Sequence, residues 1–271
     1  MTHSLGASLI TGASSGIGAV YADRLARRGY DLVLVARSGE RLKALAARLA
    51  AETGRSVKPL AADLGDKAEL AKVEAVLRDD PGITMLVNNA GTAALTPLLD
   101  SNIDEMEAMI ALNVTALTRL TYAAAPAFVA RGAGTIINIG SVVGVAPERL
   151  NGVYGASKAY VLALTFSLQH ELADKGVRVQ AVLPAATATD IWEKGGFHHS
   201  KLPAGTVMST EDMVDAALVG LDRGEVVTIP PLQDGDEWTR FDAARLALAP
   251  KFGNSAPAPR YRTAEPARKI A

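Results

Sequence analysis

Seven short apolar runs recur along the chain, at Ala7–Ile10, Asp31–Ala36, Val57–Ala61, Met85–Val87, Thr135–Ile139, Val177–Leu183 and Val226–Ile229. Several are rich in Val and Ile and apolar almost without interruption, the pattern of strands buried on both faces. Between them lie longer stretches with helical patterning: Gly16–Arg28, Glu40–Glu52, Lys67–Arg78, Ile103–Ala130, Tyr154–Asp174 and Glu211–Leu221. This alternation predicts an α/β fold, a doubly wound parallel sheet with helices on both faces, in a single domain. Ligands of such sheets bind beyond the carboxyl ends of the strands, so reactive side chains are expected just after strands.

Two segments break the alternation. Residues 185–209, rich in small residues, Gly and Pro, read as a lid whose Ile191, Trp192, Phe197 and Leu202 offer an apolar pocket wall. Pro250–Ala271, with further prolines and a mild basic excess, reads as a surface arm. The predicted organisation is a dinucleotide-binding and catalytic region over 1–230, with 231–271 an extension of the same domain. Trp238 and Phe241 in that extension suit either a pocket or subunit contact, or simply a packed aromatic pair.

Composition narrows the function. The 271 residues carry 28 basic and 29 acidic side chains, a net charge of −1, which argues against nucleic acid or an anionic membrane as a general partner. Cysteine is absent, which excludes disulfides, thiol catalysis and cysteine–metal sites. The first apolar run is too short for a secretory signal, and no stretch reaches the ~18 apolar residues of a membrane span. A soluble, cytoplasmic protein is expected. His198 and His199 are adjacent and diverge, with no third ligand nearby, so no metal site is predicted.

The first predicted strand leads into Thr11-Gly12-Ala13-Ser14-Ser15-Gly16-Ile17-Gly18, and then a helix. Glycines in that position permit a tight turn, let backbone N–H groups approach a pyrophosphate and bring helix and strand together, while the helix N-terminus favours negative charge. A lone glycine loop is a weak signal; its place between first strand and first helix is what points to a dinucleotide. The second strand ends Val35-Ala36-Arg37, with no carboxylate to bind a ribose 2′-hydroxyl and a guanidinium suited to a 2′-phosphate. NADP(H) is therefore preferred, with NAD(H) left open.

Tyr154 and Lys158 are four apart in a helical pattern and so share a face. A free phenol, with a pKa near ~10, exchanges protons poorly at neutral pH, and a neighbouring ammonium is expected to lower that value. Ser141 follows the strand Thr135–Ile139, where a hydroxyl can bond a substrate carbonyl oxygen, although serine there is also a common helix cap. Asn88-Asn89-Ala90-Gly91 follows another strand and can tie strands together or line a cleft, or be an ordinary turn. Asn113 lies inside a helical pattern that does not favour it, which suggests a specific hydrogen bond.

In these residues the chain resembles the short-chain dehydrogenase/reductase family in its short, single-domain form. The resemblance covers Thr11-Gly12-x-x-x-Gly16-x-Gly18, Asn88-Asn89-Ala90-Gly91, Asn113, Ser141 and Tyr154-x-x-x-Lys158, in order and spacing, from residue 7 to about 190. It implies a Rossmann-type fold in which Tyr154 exchanges a proton with substrate oxygen, Ser141 holds that oxygen, Lys158 binds the nicotinamide ribose, and Asn113 anchors a proton relay. It further implies cofactor contacts from the loop residues Gly12, Ser14, Ser15, Gly16, Ile17 and Gly18, from Asp63 and Leu64, and from Asn89, Ala90 and Gly91. Where the family usually has Pro-Gly, this chain has Pro184-Ala185-Ala186-Thr187-Ala188-Thr189. Pro184, Thr187 and Thr189 remain expected contacts, on a backbone path that can differ because alanine resists positive φ. A homodimer or homotetramer through the long helices is implied as well.

The expected function is an NADP(H)-dependent oxidoreductase interconverting a carbonyl and a secondary alcohol on a small-molecule substrate. The alternative is an NADP(H)-binding regulatory or scaffold protein without turnover, since fold alone does not establish function. An epimerase or dehydratase is disfavoured, because such relatives usually carry a larger carboxyl-terminal substrate domain.

Overall fold

In a computed structural model, seven strands among the described residues form one wholly parallel sheet: β1 Ala7–Thr11, β2 Asp31–Ala36, β3 Val57–Ala61, β4 Ile83–Asn88, β5 Gly134–Ile139, β6 Val177–Val182 and β7 Val227–Thr228. Their spatial order is β3-β2-β1-β4-β5-β6-β7, so the winding reverses between β1 and β4. A cleft opens at such a switch point beyond the strand ends. The described residues are 5–189, 202–203 and 205–262; of the lid residues singled out above, Ile191, Trp192, Phe197, His198 and His199 lie outside them.

Among the described residues the α-helices are α1 Gly16–Arg27, α2 Gly39–Thr53, α3 Lys67–Asp79, α4 Ile103–Ile110, α5 Leu117–Arg131, α6 Gly152–Leu172, α7 Thr210–Asp222 and α8 Gly235–Leu246. Adjacent strand residues feed opposite cores, as a sheet buried on both faces requires. Ile10, Leu34, Val87 and Ile137 pack with α1, α2 and α7, whereas Leu9, Val33, Leu86 and Ile136 pack with α3, α5 and α6. β3 is the exception: it lies at the edge, is largely exposed, and carries Lys58 and Pro59. Both residues discourage a further strand from adding there.

The expected helix over 103–130 is interrupted. Between α4 and α5 the turns widen into a π-helical segment, Ala111–Ala116, with Asn113 inside it. Such wide turns often accompany functional sites.

Side chains of Ser38, Asp66, Asn102, Asn151, Ser209 and Asp234 accept hydrogen bonds from the first turns of α2, α3, α4, α6, α7 and α8. The Ser15 side chain makes no such bond at α1, whose leading N–H groups are left for another acceptor.

Residues Met1–Pro231 and Leu232–Ala271 form two separate units. In the second, the pattern had not announced α8. Trp238 and Phe241 stack on it with ring centres 5.2 Å apart, and no residue of this helix is buried. Short 3₁₀ turns follow at Ala249–Phe252 and Pro259–Tyr261.

Candidate active site

Beyond the carboxyl ends of β1, β2, β4 and β5 lies a cleft of about 390 Å³. It gathers Gly12, Ser14, Ser15, Gly16, Ile17, Arg37, Asp63, Leu64, Asn89, Ala90, Gly91, Ser141, Tyr154, Lys158, Pro184, Thr187 and Thr189. Leu202 of the expected lid does not line it, and neither do two of the expected contact and catalytic residues, Gly18 and Asn113. Gly18 and Asn113 sit behind the wall.

Gly18 faces the glycine turn. A Cβ there would lie 2.4 Å from the Gly12 carbonyl oxygen and 2.6 Å from Asn89 Nδ2, so helix and loop approach only because the side chain is missing. Gly12, at φ +65°, would drive a Cβ into Asn89 and Ala90. The turn is braced from β4: Asn89 Nδ2 donates to the Thr11 carbonyl at 2.9 Å, and the N–H groups of Asn89 and Ala90 both donate to Thr11 Oγ1. Asn88 points the other way, donating to Asn138 Oδ1 on β5 at 2.9 Å and to Thr121 Oγ1 at 3.0 Å. The two adjacent amides thus tie β4 to both of its neighbours.

At the tip of β2 the exposed guanidinium of Arg37 is joined in the cleft wall by Ser38 and Arg41. The Ser38 hydroxyl accepts from the Arg41 N–H, which fixes the first turn of α2 beside Arg37. Arg41 was missed in the sequence, yet its i+4 spacing from Arg37 was a readable signal. Neither guanidinium has an ion-pair partner among the described residues. Asp63 Oδ1 accepts from Gly65 N–H at 2.9 Å, holding its turn at the cleft edge.

Asn113 clasps the loop after β4. Its Oδ1 accepts from Thr92 N–H, and its Nδ2 donates to the Thr92 carbonyl, both at 2.9 Å. The same Nδ2 donates to Ser157 Oγ, which donates in turn to the Tyr154 carbonyl on α6. Gly91, in this loop, places its missing Cβ 3.0 Å from Asn113 Oδ1 and 3.7 Å from Lys158 Nζ. Asn113 therefore acts on the cleft through backbone.

Ser141 caps the 3₁₀ turn Val142–Gly144, accepting from Val143 N–H, and its hydroxyl donates to the Pro184 carbonyl. It nonetheless lines the cleft, so the cap and the cleft-facing hydroxyl are one group. Gly144 lets this turn lie against α6: a Cβ there would fall 2.7 Å from the Lys158 carbonyl oxygen. Around Tyr154 pack Ala94, Met106, Met109 and Val143, with Ala93, Leu150 and Val153 at the margin. The phenol thus stands in an apolar wall.

Burial sets the electrostatics of this pair. Burial pushes the Tyr154 phenol above the usual tyrosine range, with the Ser141 hydroxyl pulling the other way. The Lys158 ammonium is itself buried and lies 5.9 Å from the centre of the phenol ring, and burial pushes its pKa down to about 8. Desolvation opposes charge on either group.

No non-glycine residue takes positive φ among the described residues, so Ala185 and Ala186 follow an ordinary backbone path. Thr187 is buried beside them, and a short parallel bridge joins it to Met208.

The arrangement suits a dinucleotide: a turn that only glycine permits, an uncapped helix N-terminus, and a cationic pair at the far end of the same cleft. Comparison with known proteins agrees. The family model for short chain dehydrogenase matches residues 7–196, and the chain belongs to that family of oxidoreductases. It is 53% identical to a short-chain dehydrogenase from Sphingobium yanoikuyae, solved in complex with NADPH, over 95% of this chain and 100% of that one, with a TM-score of 0.92. A bulky-bulky ketone specific alcohol dehydrogenase from Comamonas testosteroni is 46% identical over 96% and 99% of the two chains, at a TM-score of 0.88. An uncharacterized oxidoreductase of Staphylococcus epidermidis is 32% identical over 82% of this chain and 93% of its own length. Among the described residues, no helix is long and apolar enough to cross a membrane.

Proposed function

We propose that this enzyme interconverts a ketone with bulky apolar substituents and its secondary alcohol, using NADP(H), with Tyr154 as general acid and base. The observation that carries the reading is the meeting of Tyr154, Ser141 and Lys158 in one cleft with the glycine turn and the Arg37–Arg41 pair. Gly12, Gly16 and the α1 N-terminus would hold the pyrophosphate, Arg37 and Arg41 the 2′-phosphate, and Lys158 the nicotinamide ribose. A bound nicotinamide supplies hydride to the carbonyl carbon, or takes it back from the alcohol.

The chain's own residues manage the oxygen. Tyr154 and, once its hydroxyl turns from the Pro184 carbonyl, Ser141 donate hydrogen bonds to the substrate carbonyl oxygen as negative charge develops, and the Tyr154 proton ends on the product alcohol. Burial raises the phenol's pKa and so favours its protonated form, the form that ketone reduction requires. The apolar residues around Tyr154, and the small Ala93, Ala94 and Ala185 near the cleft, favour hydrophobic groups on either side of the carbonyl. The Comamonas relative supports the same substrate class.

The deciding experiment is Tyr154→Phe assayed on bulky aryl and alkyl ketones. NADPH binding should persist while turnover falls by roughly 10³-fold or more. Turnover that survives the substitution overturns the assignment. Assembly as a homodimer or homotetramer in the cytoplasm belongs to the same reading: Tyr122 on α5 is 69% exposed, beside the Thr118–Tyr160 hydrogen bond that joins α5 to α6. Sedimentation of the purified protein checks the oligomeric part.

A further inference from the structure

Asn151, three residues before Tyr154, is almost fully buried and uses its whole hydrogen-bonding capacity. Its Oδ1 accepts from the N–H groups of Val153 and Tyr154, capping α6. Its Nδ2 donates to the Thr96 carbonyl at 2.6 Å and to Ser101 Oγ at 3.1 Å. Ser101 Oγ in turn contacts the carbonyls of Thr96 and Pro97. The amide cannot be turned over, because the α6 N–H groups only donate and the Thr96 carbonyl only accepts. One side chain therefore clamps the start of the helix bearing Tyr154 to the loop between β4 and α4.

That loop contains Ala93 and Ala94 and leads into α4, whose Met106 and Met109 pack around the Tyr154 ring. We propose that Asn151 is a positioning residue for substrate recognition: its amide nitrogen holds the wall formed by loop 93–101 and α4 against the phenol, and so sets how well large ketones fit. The proposal rests on Tyr154 as the proton donor. It adds a determinant on the substrate side that acts through neither Ser141 nor Lys158.

The two halves of the amide can be separated. Asn151→Asp and Asn151→Ser both keep an oxygen that caps α6, and neither keeps the amide nitrogen that donates to Thr96. Ser101→Ala removes a partner from the other side of the clamp. In all three, KM for a bulky diaryl or aryl-alkyl ketone should rise by roughly tenfold, as expected for loss of a buried hydrogen bond. KM for a small ketone such as acetone, the affinity for NADPH and kcat at saturation should stay within about twofold. Asn151→Ser with Ser101→Ala should cost little more than either alone, because both break one clamp.

A purely structural role would lower the melting temperature and affect both ketones alike, which overturns the proposal. An unchanged KM for the bulky ketone in Asn151→Ser and Ser101→Ala also overturns it. Wild-type turnover in a Tyr154→Phe control instead removes the general-acid reading, so the two failures are distinguishable.

Discussion

The Lys158 ammonium donates a 2.9 Å hydrogen bond to the carbonyl oxygen of Ile139, the last residue of β5. No carboxylate pairs with it among the described residues, and burial holds its pKa at about 8 instead of 10.5. Below about pH 8 the folded and unfolded chains are both protonated here, and the folded state bears the cost of a buried charge. Between about 8 and 10.5 only the unfolded chain keeps the proton, so this group makes stability rise with pH. From about pH 7.5 to 9.5, urea denaturation of the wild type should show a gain of about 2 kcal/mol relative to Lys158→Met. Parallel curves for the two proteins would mean that the amine is not depressed.

Tyr154 is displaced in the opposite direction, upward, by burial. Ketone reduction, which needs the phenol, should persist into alkaline solution, while alcohol oxidation, which needs the phenolate, should climb as pH rises. Because the Ser141 hydroxyl lowers the phenol pKa, Ser141→Ala should move the alkaline limb of both profiles further up. Measuring kcat/KM against pH in both directions tests this, and a downward movement contradicts it.

Arg37 and Arg41 stand together at one end of the cleft, where a 2′-phosphate would distinguish the two dinucleotides. Substituting either by alanine should raise KM for NADPH by about tenfold, the worth of a charge-assisted hydrogen bond, and leave KM for NADH nearly unchanged. An equal loss with both cofactors would place these side chains elsewhere in recognition.

Gly18→Ala pits two local effects against each other. Alanine favours a helix by up to about 1 kcal/mol over glycine. Its Cβ, however, would press on the Gly12 carbonyl oxygen and Asn89 Nδ2, and overpacking of this kind costs roughly 1–3 kcal/mol. The clash should win because neither neighbour is a free-ended side chain. A lower melting temperature and weaker NADPH binding are expected, and a rise in both would refute the close-approach argument.

Asn138 accepts from Asn88 and donates to Thr165 Oγ1 on α6, joining β4, β5 and α6 in a buried layer. Asn138→Ala leaves the Asn88 amide without this acceptor and should destabilise the protein by about 2 kcal/mol in chemical denaturation. Stability equal to wild type would show that the layer rearranges freely.

Reading the chain alone went furthest where local pattern and burial coincide. Apolar runs located the strands most plainly where both faces are enclosed, as in β1, β2, β4, β5 and β6; β3 was found despite its exposure, and β7 proved shorter than its run. The glycine turn was legible because only glycine tolerates φ near +65° with a neighbour so close. Helix α8 escaped notice despite the Asp234 cap and the acidic Asp236 and Glu237 in its first turn. It buries no residue, and so it leaves no apolar stripe to read.

From the linear chain came the fold class, the order of the motifs and the spacing that sets Tyr154 and Lys158 on one helical face, since these depend on backbone propensity and repeat length. Only the folded molecule decided that burial raises the Tyr154 phenol, that Gly18 and Asn113 sit behind the wall, and that Arg41 lines the cleft. Burial and hydrogen-bond partnership are sums over residues distant in sequence, and no local pattern contains them.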